Sequence, residues 1–172
     1  MILSVVSDSH GSCRNLREML DRQSLLPASQ RSELLLHLGD GVLDCERVTL
    51  PEGICSLAVR GNCDGALASD YPTLRTASFA GFRIVMMHGH THGVKSSLVS
   101  AMAYALQEDA DLLLYGHTHE PYAATPTTGT SLFGAPLKKP LYVFNPGSLA
   151  EGSFGVIELS SKGIFMSHGR LW

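Results

Sequence analysis

The residues Ile2-Leu3-Ser4-Val5-Val6-Ser7-Asp8-Ser9-His10 form a short apolar run that stops at a carboxylate and an imidazole. A run of this length, rich in valine, leucine and isoleucine and bounded by polar residues and Gly11, reads as a buried strand from Ile2 to Ser7. The arrangement recurs downstream. Leu34 to Leu38 stops at Gly39-Asp40, Leu57 to Arg60 at Gly61-Asn62, Ile84 to Met87 at His88-Gly89-His90, and Leu112 to Tyr115 at Gly116-His117-Thr118-His119. In an α/β protein the carboxyl ends of such strands converge on one edge, where ligands bind. These ends supply carboxylates, imidazoles and one amide, a set of N and O donors suited to borderline-hard divalent cations. The pattern points to metal-dependent hydrolysis.

Composition narrows the alternatives. The 172 residues fit one domain spanning 1–172, and the 44% apolar content is enough for a substantial core. The net charge is −3, and Lys138-Lys139 is the only adjacent basic pair. A long nucleic acid is therefore not the expected partner, since such binding needs clustered Lys and Arg. A small phosphoester stays open, because a metal can supply positive charge. Cys13, Cys45, Cys55 and Cys63 show no CxxC pairing and no zinc-finger spacing, and read as reduced thiols of a cytosolic protein. With no basic leader and no apolar stretch near the ~20 residues that span a bilayer, the expectation is a soluble, cytoplasmic chain without a membrane partner. A homo-oligomer is compatible with all of this.

Between the strand ends the pattern is mixed. Leu16, Met19 and Leu20 mark one face of a helix from Cys13 to Gln23, with Ser12 as its expected N-cap. A third strand is expected from Ile54 to Arg60, and the strand-helix-strand order implies a parallel crossover. Leu74 to Phe79 and Phe82 to Met87 flank Ala80-Gly81 as a hairpin. Leu98, Val99, Met102 and Leu106 predict an amphipathic helix over Ser96 to Leu106, lying on the sheet. The remainder is β-like: Pro121 to Ala124, Leu141 to Phe144, Phe154 to Leu159 and Ile164 to Ser167. Thr125 to Pro140, with three prolines and two glycines, reads as a surface excursion between strands.

Taken singly, each polar strand end has a structural explanation. Asp8-Ser9-His10 could cap a helix, Asp40 could be a turn aspartate beside two glycines, and Asn62 a left-handed turn residue. An extended chain would put Asp8 and His10 on one face, and likewise His117 and His119, so that each pair could grip one ion. Asp40 suits a bridging carboxylate, and Asn62 a neutral carbonyl ligand. His88 is the first residue beyond its apolar run, which favours it over His90 as a ligand. His37, inside an apolar strand, and His168 read as structural histidines.

The ordered series Asp8-x-His10, Gly39-Asp40, Gly61-Asn62, His88-Gly89 and Gly116-His117-x-His119, with the later Asn145-Pro146-Gly147-Ser148, resembles the calcineurin-like metallophosphoesterases. More narrowly it is similar to the small phosphodiesterases of the YfcE type, to which the retromer subunit Vps29 is related. The resemblance implies a four-layer α/β/β/α sandwich with two mixed sheets and a dinuclear site. It implies that Asp8, His10, Asp40 and His119 hold one cation, and that Asp40, Asn62, His88 and His117 hold the other. Mn²⁺ is expected, with Fe²⁺, Ni²⁺ or Zn²⁺ also suited. Two such ions about 3.5–4 Å apart would share a hydroxide that attacks the phosphorus of a small phosphodiester. Larger relatives carry a histidine where Cys63 stands, so the proton donor is open. His90 or a metal-bound water is the expected donor, His90 being the catalytic group named beside Asn62, with Cys63 minor. A Vps29-like interaction scaffold that keeps a metal site is the alternative.

Overall fold

The computed structural model describes residues 1–128, 131–132 and 135–172; residues 129, 130, 133 and 134 of the expected 125–140 excursion lie outside the described residues. Strands β1 (Ile2–Val6), β2 (Leu34–His37) and β3 (Cys55–Ala58) are parallel neighbours. Helix α1 (Cys13–Ser24) makes the crossover between the first two, and a one-turn helix α2 (Asp44–Arg47) lies before the third. Strands β4 (Leu74–Phe79) and β5 (Phe82–Met87) form the expected hairpin across Ala80 and Gly81. Helix α3 (Val99–Gln107) leads into β6 (Leu112–Leu114), which runs parallel to β5. The chain closes with β7 (Pro121–Ala124), a short hairpin β8 (Ser131–Leu132) and β9 (Ala135–Pro136), then β10 (Tyr142–Pro146), β11 (Ser153–Ser160) and β12 (Gly163–Arg170). The 125–140 excursion thus contains paired strands of its own.

Two five-stranded mixed sheets result, in the orders β12-β11-β1-β2-β3 and β4-β5-β6-β10-β7. Alternation along the strands sorts the side chains into layers. Leu3, Val5, Leu34 and Leu36 meet Ile84, Met86, Leu112, Leu114 and Phe144 in the core between the sheets. Val6 and Leu35 point outward onto Leu16, Met19 and Leu20 of α1. Val85, Met87 and Leu113 point outward onto Ala101 and Ala105 of α3. The architecture is the expected helix, sheet, sheet, helix sandwich.

Three local expectations need correction. Ser12 occupies the N-cap of α1 but its hydroxyl makes no capping bond, because its backbone (φ −78°, ψ 62°) departs from the extended conformation that aims a cap oxygen at the first turn. Helix α3 begins at Val99, with Ser96 and Ser97 in the turn before it. Val99 itself is 56% exposed, since the buried stripe runs through Ala101 and Ala105, small residues that let the helix lie close to the sheet.

The candidate metal centre

The parallel strands β1 and β2 of one sheet, and β5 and β6 of the other, end at the same edge of the sandwich. Asp8 and His10 follow β1, Asp40 follows β2, His88 follows β5, and His117 and His119 follow β6. Neighbouring strand ends are tied within each sheet: the Asp8 amide donates to the Gly39 carbonyl (2.9 Å) and His10 to Asp40 (3.0 Å) in the first, and Gly116 to His88 (3.1 Å) in the second.

The pairs do not converge by strand alternation. Asp8 (φ +54°), His10 (+46°), Asp40 (+57°), His117 (+70°) and His119 (+64°) all sit in the left-handed region, which costs a non-glycine residue about 1–2 kcal/mol. Strain concentrated in this way marks a site that the surrounding structure holds on purpose. Asn62, by contrast, is not left-handed, so the alternative reading of it as a left-handed turn residue does not hold.

The strained loops aim their donors at common points. Asp8 Oδ2 accepts from the His117 amide (3.0 Å), and Asp40 Oδ1 accepts from the Cys63 amide (2.7 Å). That leaves one oxygen of each carboxylate free. His119 Nε2 lies 3.2 Å and His10 Nε2 4.0 Å from Asp8 Oδ1, with the two nitrogens 3.4 Å apart. His88 Nδ1 bonds the Leu38 carbonyl at 2.8 Å, which fixes the ring and turns Nε2 toward Asp40 Oδ2 (3.3 Å) and Asp8 Oδ1 (3.9 Å). Neither His88 Nε2 nor Asp8 Oδ1 has a hydrogen-bond partner, although both are buried. Buried polar atoms without partners cost roughly 1–3 kcal/mol each and call for an explanation; a divalent cation between them supplies one.

Donor atoms of Asp8, His10 and His119 lie within 4.8 Å of one another, as do those of Asp40, His88 and His117, and those of His10, Asp40 and Cys63. Asp40 therefore reaches donors on both sides, as a bridging carboxylate must. Asn62 stands apart. It is exposed, its amide nitrogen donates to Cys63 Sγ (3.2 Å), and among the described residues it has no hydrogen bond to Asp40, His88 or His117.

Electrostatics fit this picture. Burial opposes ionisation of Asp40, but His88 and the Cys63 amide outweigh it and hold the carboxyl well below its usual range. Burial pulls the His88 imidazole down, but Asp40 and Asp8 outweigh it and raise it above its usual value. The Asp40 carboxylate raises the Cys63 thiol, which is therefore protonated near neutral pH. His90 lies 5.5 Å from His88 and 6.2 Å from His117 between ring centroids. Burial and the charge of His88 lower its pKa, so a neutral imidazole stands there rather than an acid.

Sequence reasoning missed the carboxylates behind the loops. Asp64 accepts from the amides of Asp40 (2.9 Å), Gly41 (2.6 Å), Val42 (3.0 Å) and Gly61 (2.7 Å). Asp44, 1% exposed, accepts from Ser9 Oγ (2.7 Å) and the Gly11 amide (2.9 Å) behind the Asp8–His10 turn. The Asn145-Pro146-Gly147-Ser148 segment is a brace: Asn145 Nδ2 donates to the Gly116 carbonyl (3.2 Å) and Thr118 Oγ1 (3.0 Å), and Ser148 Oγ donates to the Asp8 carbonyl (3.0 Å). His37 and His168 are structural as expected. His37 accepts from the Gly39 amide (3.1 Å) and donates to Ser9 Oγ (3.0 Å), while His168 donates to the Asn145 carbonyl (2.8 Å). Gly61 is confined by contact, since a Cβ there would clash with the Asp40 carboxylate and backbone.

The family description "Calcineurin-like phosphoesterase superfamily domain" matches residues 1–165. The chain belongs to that family. It is 27% identical over 150 residues to the probable metallophosphoesterase YsnB of Bacillus subtilis (strain 168), covering 87% of this chain and 75% of that protein. It is 29% identical over 172 aligned residues to phosphodiesterase YfcE of Escherichia coli (strain K12), covering 87% and 80%. In fold it is similar to Vps29 of Entamoeba histolytica, solved in complex with Zn²⁺, with a TM-score of 0.66 and 19% identity over 99% of each chain. No helix among the described residues is long and apolar enough to cross a membrane.

Proposed function

We propose that this chain, acting as one domain over residues 1–172, is a phosphodiesterase that uses two divalent cations to hydrolyse small phosphodiesters. The observation that carries the reading is Asp40, placed within reach of donors on both sides, together with the two buried atoms without partners, Asp8 Oδ1 and His88 Nε2. Asp8, His10, His119 and Asp40 would hold one cation; Asp40, His88, His117 and Asn62 would hold the other. The Asn62 carbonyl would need to turn from the rim to join them. The N/O donor set suits Mn²⁺, Fe²⁺, Ni²⁺ or Zn²⁺ over a thiolate-selected metal, and Mn²⁺ is the ion proposed. When bound, the cations bind phosphoryl oxygens and lower the pKa of a water nucleophile.

The chain's own residues decide the rest. Asp8 and Asp40 contribute two negative charges against four positive ones, so the site stays attractive to an anionic phosphoryl group. His90, a neutral imidazole whose ring centroid lies 5.5 Å from that of His88, stands close enough to the metal ligands to hydrogen-bond substrate. With His90 neutral and Cys63 held as a thiol, no strong acid stands ready to protonate a leaving group. Diesters with acidic leaving groups, which depart without a proton, are therefore the expected substrates. The fold likeness to Vps29 keeps an interaction scaffold in view, but such a scaffold has no need of strained backbone at five donor residues.

Protein reconstituted with Mn²⁺ should hold close to two equivalents by elemental analysis and hydrolyse an activated diester. Asp40→Ala should lose metal and nearly all activity while its far-ultraviolet dichroism is kept. Zero metal at saturating Mn²⁺, or parental turnover in Asp40→Ala, overturns the proposal.

A further inference from the structure

A cavity of about 540 Å³ is lined by Thr118, which stands between His117 and His119, and by Lys95, whose charge acts on His117. Small-molecule sites commonly measure roughly 300–1,000 Å³, so the volume is sufficient for one arm of a diester. Its walls are direct continuations of two donor-bearing loops. Thr118, Glu120 and Tyr122 interleave with or follow His117 and His119, and Lys95 and Leu98 follow the His88–His92 segment. Whatever fills the cavity is thereby close in the chain to the phosphoryl position.

The lining chemistry is specific. Tyr115 and Tyr122 place ring centroids 6.4 Å apart at 59°, and Tyr122, on edge strand β7, remains 42% exposed. Tyr115 is only 3% exposed and backs Tyr122, so Tyr122 is the ring that faces the cavity. Leu98 adds an apolar wall. The charged lining residues are Lys95 and Glu120, one of each sign, so the cavity carries no net charge. A second phosphate or carboxylate on the arm would meet Glu120 as well as Lys95 and gain little. A neutral planar ring would cover the exposed tyrosine face and leave polar edge groups for the two charges.

We infer that this cavity is a subsite for an uncharged aromatic arm, so that the substrate class is a phosphodiester bearing at least one planar ring. The inference rests on the proposed function for the position of the phosphoryl group. It adds a preference that the metal centre alone does not supply.

Calorimetric titration of the Mn²⁺-loaded protein with methyl(phenyl)phosphinate and with ethyl(methyl)phosphinate tests it. Each ligand has the same singly anionic phosphinate group and one differing arm held by a C–P bond, so neither can be turned over. The phenyl compound should bind about tenfold more tightly, the scale of a good aromatic contact. Tyr122→Ala should bring the two within about twofold by weakening only the phenyl compound, and Tyr122→Phe should keep the preference. Equal affinities in the parent, an advantage that survives Tyr122→Ala, or binding of neither to protein shown to hold Mn²⁺ overturns the subsite. An absence of diester hydrolysis or of metal uptake would instead overturn the function on which it rests.

Discussion

At the scale of single residues, His88 and His90 are chemically alike and sit two positions apart, yet the structure gives them different work. His88 spends Nδ1 on the Leu38 carbonyl and points Nε2 at two carboxylates. His90 is on the three-residue helical turn His90–His92 beyond it. His88→Ala should lower bound Mn²⁺ from two equivalents toward one. His90→Ala should keep both and slow turnover about tenfold, the worth of one hydrogen bond to a charged group. Metal content measured beside rate separates the two, and the reverse pattern would exchange their roles. Cys63→Ala should stay within about threefold of parent on activated diesters, with an unchanged dependence of log rate on leaving-group pKa. A steeper dependence would make the thiol a proton donor after all. The placement of His88 beside Asp8 and Asp40 was legible because an apolar run ends at Met87. The left-handed backbone at Asp8 and His117 was not, because nothing local favours it: the amides that hold those turns find their acceptors on other strands.

At the scale of elements, the unbroken apolar runs Leu34–Leu36 and Leu112–Leu114 mark strands buried on both faces, so the strands and their place between a second sheet and a helix layer could be read directly. Loop anchors are a different matter. Asp64 looks like one more turn aspartate, but three of its four amide partners lie more than twenty residues away. Its pKa is driven below the ordinary value: burial opposes ionisation, and the amides of Gly61, Gly41, Val42 and Asp40 outweigh it. Asp64→Ala would strand those amides in the Asp40 and Gly61 turns. Denaturant unfolding of the metal-free variant should show a loss of about 2–4 kcal/mol, with Mn²⁺ affinity falling as Asp40 loosens. Asp64→Asn, which keeps one carbonyl acceptor, should fall between. A variant as stable as the parent would mean that water replaces the carboxylate without cost.

At the scale of the whole molecule, His37 makes stability depend on pH. It is fully buried as a neutral ring, its Nδ1 already accepting from Gly39, and burial lowers its pKa from 6.5 to about 4 against the pull of nearby carboxylates. Between those values the unfolded chain binds a proton that the folded chain refuses, so stability falls as pH drops through this window. The loss approaches about 3 kcal/mol near pH 4. His37→Gln retains one acceptor and one donor but cannot titrate, and its metal-free stability should decline less steeply between pH 6.5 and pH 4. Parallel slopes for the two proteins would contradict this.

The donors that meet at the carboxyl edge come from both sheets, Asp8, His10 and Asp40 from one and His88, His117 and His119 from the other. Cations bound there would act as a clasp across the open end of the sandwich. Without them the histidine-bearing turns would be the first to fray, and amide exchange at 8–10, 39–41 and 116–119 should quicken while the strand centres keep their protection. Filling each site at a hundred times its dissociation constant is worth about 2.7 kcal/mol, so two sites should raise the melting temperature by roughly 15 °C. Mn²⁺ would then be as much a fastener of the fold as a participant in its chemistry.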